Sequence, residues 1–259
     1  MNTLMDINGL PSSTSAPARY PRSGIHGTIV HAIGGDIVNG ALQQGQRLPS
    51  DQEMMARFQA SRTALREAMK VLSSKGLIES RQRAGTRVRP RSDWDLLDVD
   101  VLSWHRPESI SESFTADLVE LRELIEPVAA KLAADRATSD DLTRIEAAYL
   151  RMETSVDDYE GFYMADVDFH LAVLNASHNQ LVQRLAGIIG TVLGLSFSLQ
   201  KTVRIPLRES LESHYQVFDG IRQRNRRSAE RAMRITIRRG RNTLSQQRKA
   251  VRDQAFQAP

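Results

Sequence analysis

Asp166 and His170 stand four residues apart in a helical stretch, so both side chains leave one face and could hold a single divalent ion. His214, beside Val217 and Phe218, offers a third ligand if its helix packs against that one. The competing reading is structural, a histidine steadied by a carboxylate on a helix. Arg122 lies in an otherwise core-facing segment. Either it pairs with Glu126 one turn on, or its planar fork clamps a ligand carboxylate. Nearer the N-terminus, Arg62, Thr63 and Arg66 open an amphipathic stretch. A guanidinium can donate two hydrogen bonds to a guanine edge and a threonine can reach a phosphate or base, so Arg62 and Arg66 are candidate base readers. Arg83, and the backbone amides around Gly85, suit a phosphate or a minor-groove edge. The arginine run from Arg222 to Arg241 reads as the solvated face of a terminal helix.

Composition narrows the chemistry. The 259 residues are 41% hydrophobic and 25% charged, which is globular composition. Cysteine is absent, excluding disulfide scaffolds, thiolate metal sites and cysteine nucleophiles. No apolar run spans a bilayer and no signal-peptide pattern opens the chain, so a soluble cytoplasmic protein with no membrane partner is expected. A net charge of +4 hides opposing blocks: +7 over residues 22–91, −13 over 92–220 and +10 over 221–259. The first block wants an anion and the second repels one. Residues 1–21, rich in Ser, Thr and Pro, read as a disordered leader, and 251–259 as a tail.

The elements that must position these side chains follow from periodicity. Ile25, Ile29, Ile33 and Ile37, with Val30 and Val38, stripe a first helix over 22–39, which Gly34 and Gly35 weaken. Gly45 and Pro49 then break the chain before Ser50-Asp51-Gln52-Glu53, a capping box. A short second helix carries Met54, Met55 and Phe58; Ser61 caps a third, which buries Leu65, Ala68, Met69 and Leu72 and ends near Gly76. Residues 77–81 and 86–89 pair as a hairpin wing. A winged helix-turn-helix is therefore expected over 22–90. The segment 91–106, Trp94 to Trp104 especially, is too apolar for a free linker.

Residues 107–250 read as an all-α bundle of about six helices. Leu118, Leu121, Ile125, Val128 and Leu132 mark the core stripe of its first helix, which Pro127 should bend or end. Thr138 with Asp141 starts another helix, carrying Leu142, Ile145, Tyr149 and Met152; more follow over 157–176, 179–203, 207–224 and 226–250. The fold class is mainly α, with a small β-hairpin in the N-terminal domain.

Two stretches carry a family resemblance. Leu48-Pro49-Ser50-Asp51-Gln52-Glu53, Ser61 to Ala68, Gly76-Leu77-Ile78 and Arg83-Ala84-Gly85-Thr86 resemble the N-terminal domain of GntR-type bacterial transcription regulators. The resemblance implies operator contacts from Gln52, Ser61, Arg62, Thr63, Arg66 and the wing tip, Gln82, Arg83 and Gly85. Ala64 lacks a hydroxyl that some relatives place there. Leu121-Arg122, Leu124 to Pro127, Asp166 to His170, Glu212-Ser213-His214 and Phe218 to Ile221 resemble the effector domain of the FadR subfamily, the FCD domain. There an aspartate and three histidines often hold a divalent metal beside the effector. That implies Asp166, His170 and His214 as ligands for zinc, manganese or nickel, with Thr236 where the fourth histidine falls. The effector would then meet Arg122, Asp166, His170, His214 and Thr236. The segment Trp94–Trp104 resembles that of sugar-acid regulators of the galactonate-operon type, which implies an aldonate.

The expectation is a homodimeric repressor that binds operator DNA and is released by a small carboxylate. Another organic acid or an acyl-CoA would fit the same class. A metal-dependent enzyme of the bundle is the rival from another class, disfavoured because it lacks a general base beyond the ligands and has no use for a basic reading head. A ligand-blind DNA-binding dimer is the third reading, and Thr236 is its best argument.

Overall fold

The computed structural model describes residues 19–81, 85–200 and 207–257, with 199–200 and 242–257 as backbone alone. Residues 1–18 of the expected leader and the wing-tip residues Gln82 and Arg83 lie outside the described residues, while Tyr20, placed in that leader, is bonded through its amide to Asp100 at 3.1 Å. Two compact units succeed one another, the first ending at Ile110 and the second beginning at Ser111.

The first unit holds α1 (Gly24–Val38), α2 (Asp51–Phe58), α3 (Arg62–Ser74), the hairpin β1 (Ile78–Arg81) and β2 (Gly85–Val88), and a short α4 (Val99–Ser103). α2 starts on the capping box: the Glu53 amide donates to Ser50 Oγ at 3.3 Å and the Ser50 amide to Glu53 Oε2 at 2.7 Å. Gln59, in the left-handed region at φ 51°, makes the turn, and Ser61 Oγ accepts from the Ala64 amide to start α3. The strands pair antiparallel, Ile78 opposite Val88 and Arg81 opposite Gly85. Ile29, Ile33 and Ile37 of α1 meet Leu65, Ala68 and Leu72 of α3 and Leu77, Ile78 and Val88 in one core. Ile25, expected on that stripe, is 38% exposed in the first turn of α1. Residues 45–48, taken from their Gly and Pro as a break, add to the wing: the Leu48 amide donates to the Thr86 carbonyl at 2.9 Å and the Val88 amide to the Gln46 carbonyl at 3.0 Å.

The segment after the wing packs into this same core through Trp94, Val101 and Trp104. Trp104 Nε1 donates to His31 Nδ1 at 2.8 Å. A Cβ on Gly34 would come within 2.5 Å of the Trp104 ring. The glycine that weakens α1 as a helix is what lets the indole lie against it. Lys75, at the end of α3, bonds Asp98 at 2.7 Å and Asp100 at 2.8 Å, all three at least partly buried.

The second unit is helical throughout: α5 (Glu112–Arg136), α6 (Ser139–Thr154), α7 (Tyr159–Ala176), α8 (Gln180–Arg184), α9 (Ala186–Gln200), α10 (Leu207–Arg222) and α11 (Arg226–Gln257). Phe162, Phe169, Val173, Val217, Ile221, Met233 and Ile237 fill its main core with Ile145 and Met152 of α6. Three expectations change. α5 runs unbroken through Pro127. The stretch 179–203 is not one helix: the Leu185 amide bonds the Val182 carbonyl, a tightened turn that separates α8 from α9. The third concerns the buried face of α5: of the expected stripe only Leu118 is buried, Leu121, Ile125 and Leu132 are half-buried and Val128 is 45% exposed, while Arg122, Glu126, Ala129, Ala130, Ala133 and Ala134 take the rest of the face. Small alanines let α7 and α11 close on α5, and a polar pair, Arg122 with Glu126, faces inward. The helical period holds, and the buried face is turned from the expected stripe toward the alanines.

Candidate functional site

On the reading head, Gln52, Ser61, Arg62, Thr63 and Arg66 are all exposed at the first turns of α2 and α3. Their presentation is a consequence of capping. Each cap fixes the first turn and leaves the side chains that follow it pointing to solvent, while Met54, Ala64 and Leu65 turn inward. Ser61 Oγ is committed to the Ala64 amide at 3.2 Å. Ala64 is 4% exposed, so its missing hydroxyl is a property of the core at this position. Gly85 sits at φ 78°, and a Cβ there would lie 2.7 Å from Arg47 Nε. Arg47, which sequence reasoning passed over, thus lies against the turn end of the wing; its pairing with Arg87 across the sheet is the only signal, and it is a tertiary one.

The second group converges inside the bundle. Asp166, His170 and His214 are buried, and a ligand atom of each lies within 4.8 Å of the others. His214 Nε2 is 2.9 Å from Asp166 Oδ1 and 3.3 Å from His170 Nε2, and the latter is 3.9 Å from Asp166 Oδ1. A point equidistant from the corners of a triangle with these sides lies about 2.0 Å from each, the usual metal–imidazole distance. Both rings are anchored from behind. His214 Nδ1 bonds the Ser210 carbonyl at 2.7 Å. His170 Nδ1 abuts Glu126 Oε2, and neither atom has another partner among the described residues. With Nδ1–H directed outward on both rings, the two Nε2 lone pairs face one another beside a carboxylate, the arrangement a cation resolves.

Glu126 is the residue sequence reading undervalued, naming it only as a partner for Arg122. Arg122 Nε donates to Glu126 Oε1 at 2.5 Å, and its Nη2 lies 3.5 Å from His170 Nε2. Burial alone raises the Glu126 carboxyl, but Arg122 and His170 outweigh it and hold it at about 2. Asp166 is likewise raised by burial and lowered further by His214, His170 and Arg122, to about 2. Both carboxylates are ionised at neutral pH. Arg122 therefore does what the ion-pair reading expected of it, while its Nη1 makes no hydrogen bond among the described residues. Tyr163, one turn before Asp166 on α7, was also missed. Its phenol is pushed up by burial, then by Tyr159 and Asp166, and its ring lies 4.5 Å from that of Phe197. Spacing of three and four along Tyr163, Asp166 and His170 was the available signal. Thr236 is 7% exposed and donates its hydroxyl to the Ala232 carbonyl at 3.1 Å.

Among the described residues no helix is long and apolar enough to cross a membrane. The sequence signature of bacterial regulatory proteins of the gntR family matches residues 26–88, and that of the FCD domain matches 117–239. The chain is 36% identical to the galactonate operon transcriptional repressor of Escherichia coli (strain K12), over 79% of this chain and 90% of that protein. It is 31% identical to the HTH-type transcriptional regulator LutR of Bacillus subtilis (strain 168), over 76% of this chain and 90% of that one. The fold is shared with the solved Listeria monocytogenes protein Lar, at TM-score 0.62 and 16% identity, over 88% of this chain and 99% of that one. These relatives are regulators and not enzymes. A capped pair of helices with a wing, followed by a helical FCD bundle, places this chain in the gntR family of bacterial regulatory proteins, as a DNA-binding transcription regulator.

Proposed function

We propose that the protein is a cytoplasmic repressor that binds its operator as a homodimer and releases it on binding a small, singly charged carboxylate, a sugar acid such as an aldonate. A single winged helix offers too few base contacts for genomic specificity, which favours two heads on a near-palindromic site. Arg62 and Arg66 read bases, Gln52, Ser61 and Thr63 fix the helices on phosphates, and Gln82, Arg83 and Gly85 at the wing tip add affinity.

The observation that carries the effector reading is the convergence of two rear-anchored imidazoles and Asp166 on one point at metal-ligand radius. These residues fit a divalent ion such as zinc, manganese or nickel, which would supply a Lewis-acidic anchor for an oxygen ligand. The charge of the centre then selects the ligand. Arg122 offsets Glu126, and Asp166 offsets half of a divalent charge, leaving one positive charge for one carboxylate to neutralise. Arg122, whose Nη2 lies 3.5 Å from His170 Nε2, would take one of its oxygens. Thr236 holds the place of a fourth protein ligand with a weaker group and so keeps room for the effector. An aldonate is favoured because a relative 36% identical to this chain is the repressor of the galactonate operon, and galactonate is an aldonate.

A mobility-shift titration on the DNA upstream of the protein's own gene, with aldonates, dicarboxylates and acyl-CoA in parallel, tests this. Release by aldonates alone is expected, and release should disappear after chelation. Operator affinity indifferent to every acid would leave the ligand-blind reading standing.

A further inference from the structure

Arg47 belongs neither to a capped helix start nor to the wing turn, but to the extended stretch before α2. It pairs antiparallel with Arg87 of β2. The bonds from the Leu48 amide to the Thr86 carbonyl and from the Val88 amide to the Gln46 carbonyl, at 2.9 and 3.0 Å, bracket that pair. It is therefore of the non-hydrogen-bonded kind, in which opposed side chains stand closest. Leu48, Ile78 and Val88 turn into the head core, so Arg47, Glu79 and Arg87, which alternate with them, share the outer face of the sheet.

Like charges directly opposite one another destabilise a sheet, and this face does not cancel both. Glu79 lies opposite Arg87 on β1 and offers one carboxylate to two guanidinium groups. Arg87 Nη1 donates to the Gly45 carbonyl at 3.1 Å, whereas Arg47, exposed, makes no side-chain hydrogen bond or ion pair among the described residues. Its guanidinium is nonetheless seated. A Cβ on Gly85 would lie 2.7 Å from Nε, 2.9 Å from Nη2 and 3.1 Å from Cζ, so the planar group rests where only a glycine leaves room.

A seated cation that faces solvent beside a second one destabilises the free head, and a bound anion would relieve it. A strand face has no helix end to enter a groove and read base edges. What it offers is charge on a planar fork, which matches a phosphate diester. We infer that Arg47, seconded by Arg87, clamps a backbone phosphate of the operator duplex. The inference rests on the DNA-binding reading of the head and adds a contact from outside its two capped helices and wing tip.

The test is a titration of the whole chain into the duplex upstream of its own gene, and into an unrelated duplex of equal length, across a range of salt. R47A should bind both about fivefold more weakly at about 0.15 M salt and lower the slope of log affinity against log salt by about 0.9, one counterion's release. R57A removes an exposed head arginine already paired with Asp36 at 3.2 Å, and should bind as the unsubstituted chain does. The urea midpoint of the head should hold or rise in R47A, because a like-charge pair is gone; a purely structural arginine would lower it. An unchanged slope, a loss confined to the operator, or a loss matched by R57A or by a lowered midpoint overturns the clamp and leaves the regulator reading intact. An unsubstituted chain that ignores the operator overturns the operator reading and the clamp with it.

Discussion

Replacing Lys75 by Met should unfold the reading head selectively. Lys75 Nζ lies 2.7 Å from Asp98 and 2.8 Å from Asp100, with side-chain exposures of 11%, 22% and 2%. Asp100 also accepts the Tyr20 amide at 3.1 Å, so α3, α4 and the entry to α1 meet at one ammonium. Methionine preserves the apolar stem and removes only the charge. Losing one partner of a buried ion cluster costs about 3–5 kcal/mol, because the remaining carboxylates stay desolvated and unpaired. The partial exposure of Asp98 argues for the lower end, about 3 kcal/mol. The assay follows from the sequence: Trp94 and Trp104 are the only tryptophans, and both lie in the head core. Urea unfolding of the full chain followed by tryptophan fluorescence therefore reports the head alone. With a slope of about 1.5 kcal/mol/M for a small domain, the midpoint should fall by about 2 M. The pH dependence has a definite sign. Burial lowers the Lys75 pKa, but Asp100 and Asp98 outweigh it and raise it above 10.5. A raised lysine contributes stability that is complete below its unfolded value and lost as pH rises through the folded one. The difference between Lys75→Met and the unsubstituted chain should be constant from about pH 6 to 9 and shrink only in strong alkali. A midpoint shift under about 0.5 M would show that the cluster is dispensable and that Trp104 alone holds the segment.

Gly34→Ala should also destabilise the head in the same fluorescence assay, since its Cβ would meet the Trp104 ring at 2.5 Å, whereas Gly35→Ala, with open space around it, should not. Arg62→Ala and Arg66→Ala should each weaken operator binding by about 1–3 kcal/mol and relax preference at one base position, measured by competition among operator variants at fixed salt. Zinc at a hundred times its dissociation constant should stabilise the effector unit by about 2.7 kcal/mol in a calorimetric melt, and Asp166→Asn should abolish that rise. Glu126→Gln keeps all three ligands but loosens the orientation of His170; zinc affinity should drop about 10–100-fold by isothermal titration, with no change expected if Glu126 serves Arg122 alone.

What was legible in the sequence was whatever is decided within a turn or two of chain. The Ser50–Glu53 box and the Ser61 cap are local contacts, so the starts of α2 and α3, and with them the exposure of Arg62 and Arg66, could be placed to the residue. Strand addition by residues 45–48 could not, because its partners come from Thr86 and Val88 and the glycine and proline nearby suggest only a break. The metal-like trio was half legible: the spacing of Asp166 and His170 sets one face of α7, while the approach of His214 is a fact of packing. α5 shows the deeper limit. Its sequence offers two candidate faces, one rich in leucine and isoleucine, the other in alanine with Arg122 and Glu126. Hydrophobicity chooses the first as core, and the structure chooses the second. The resolution is energetic. An inward Arg122 and Glu126 would be prohibitive alone, but each neutralises the other, and His170 takes the remaining carboxylate oxygen. Once that polar centre is satisfied, Ala129, Ala130, Ala133 and Ala134 continue the face begun by Leu118, and Leu124 and Val128 are left for the outer surface. The same rotation of α5 that brings Arg122 and Glu126 to His170 leaves Leu124 and Val128 on the outer surface, so the carboxylate beside His170 and the apolar side chains that face outward are two consequences of one choice of helix face.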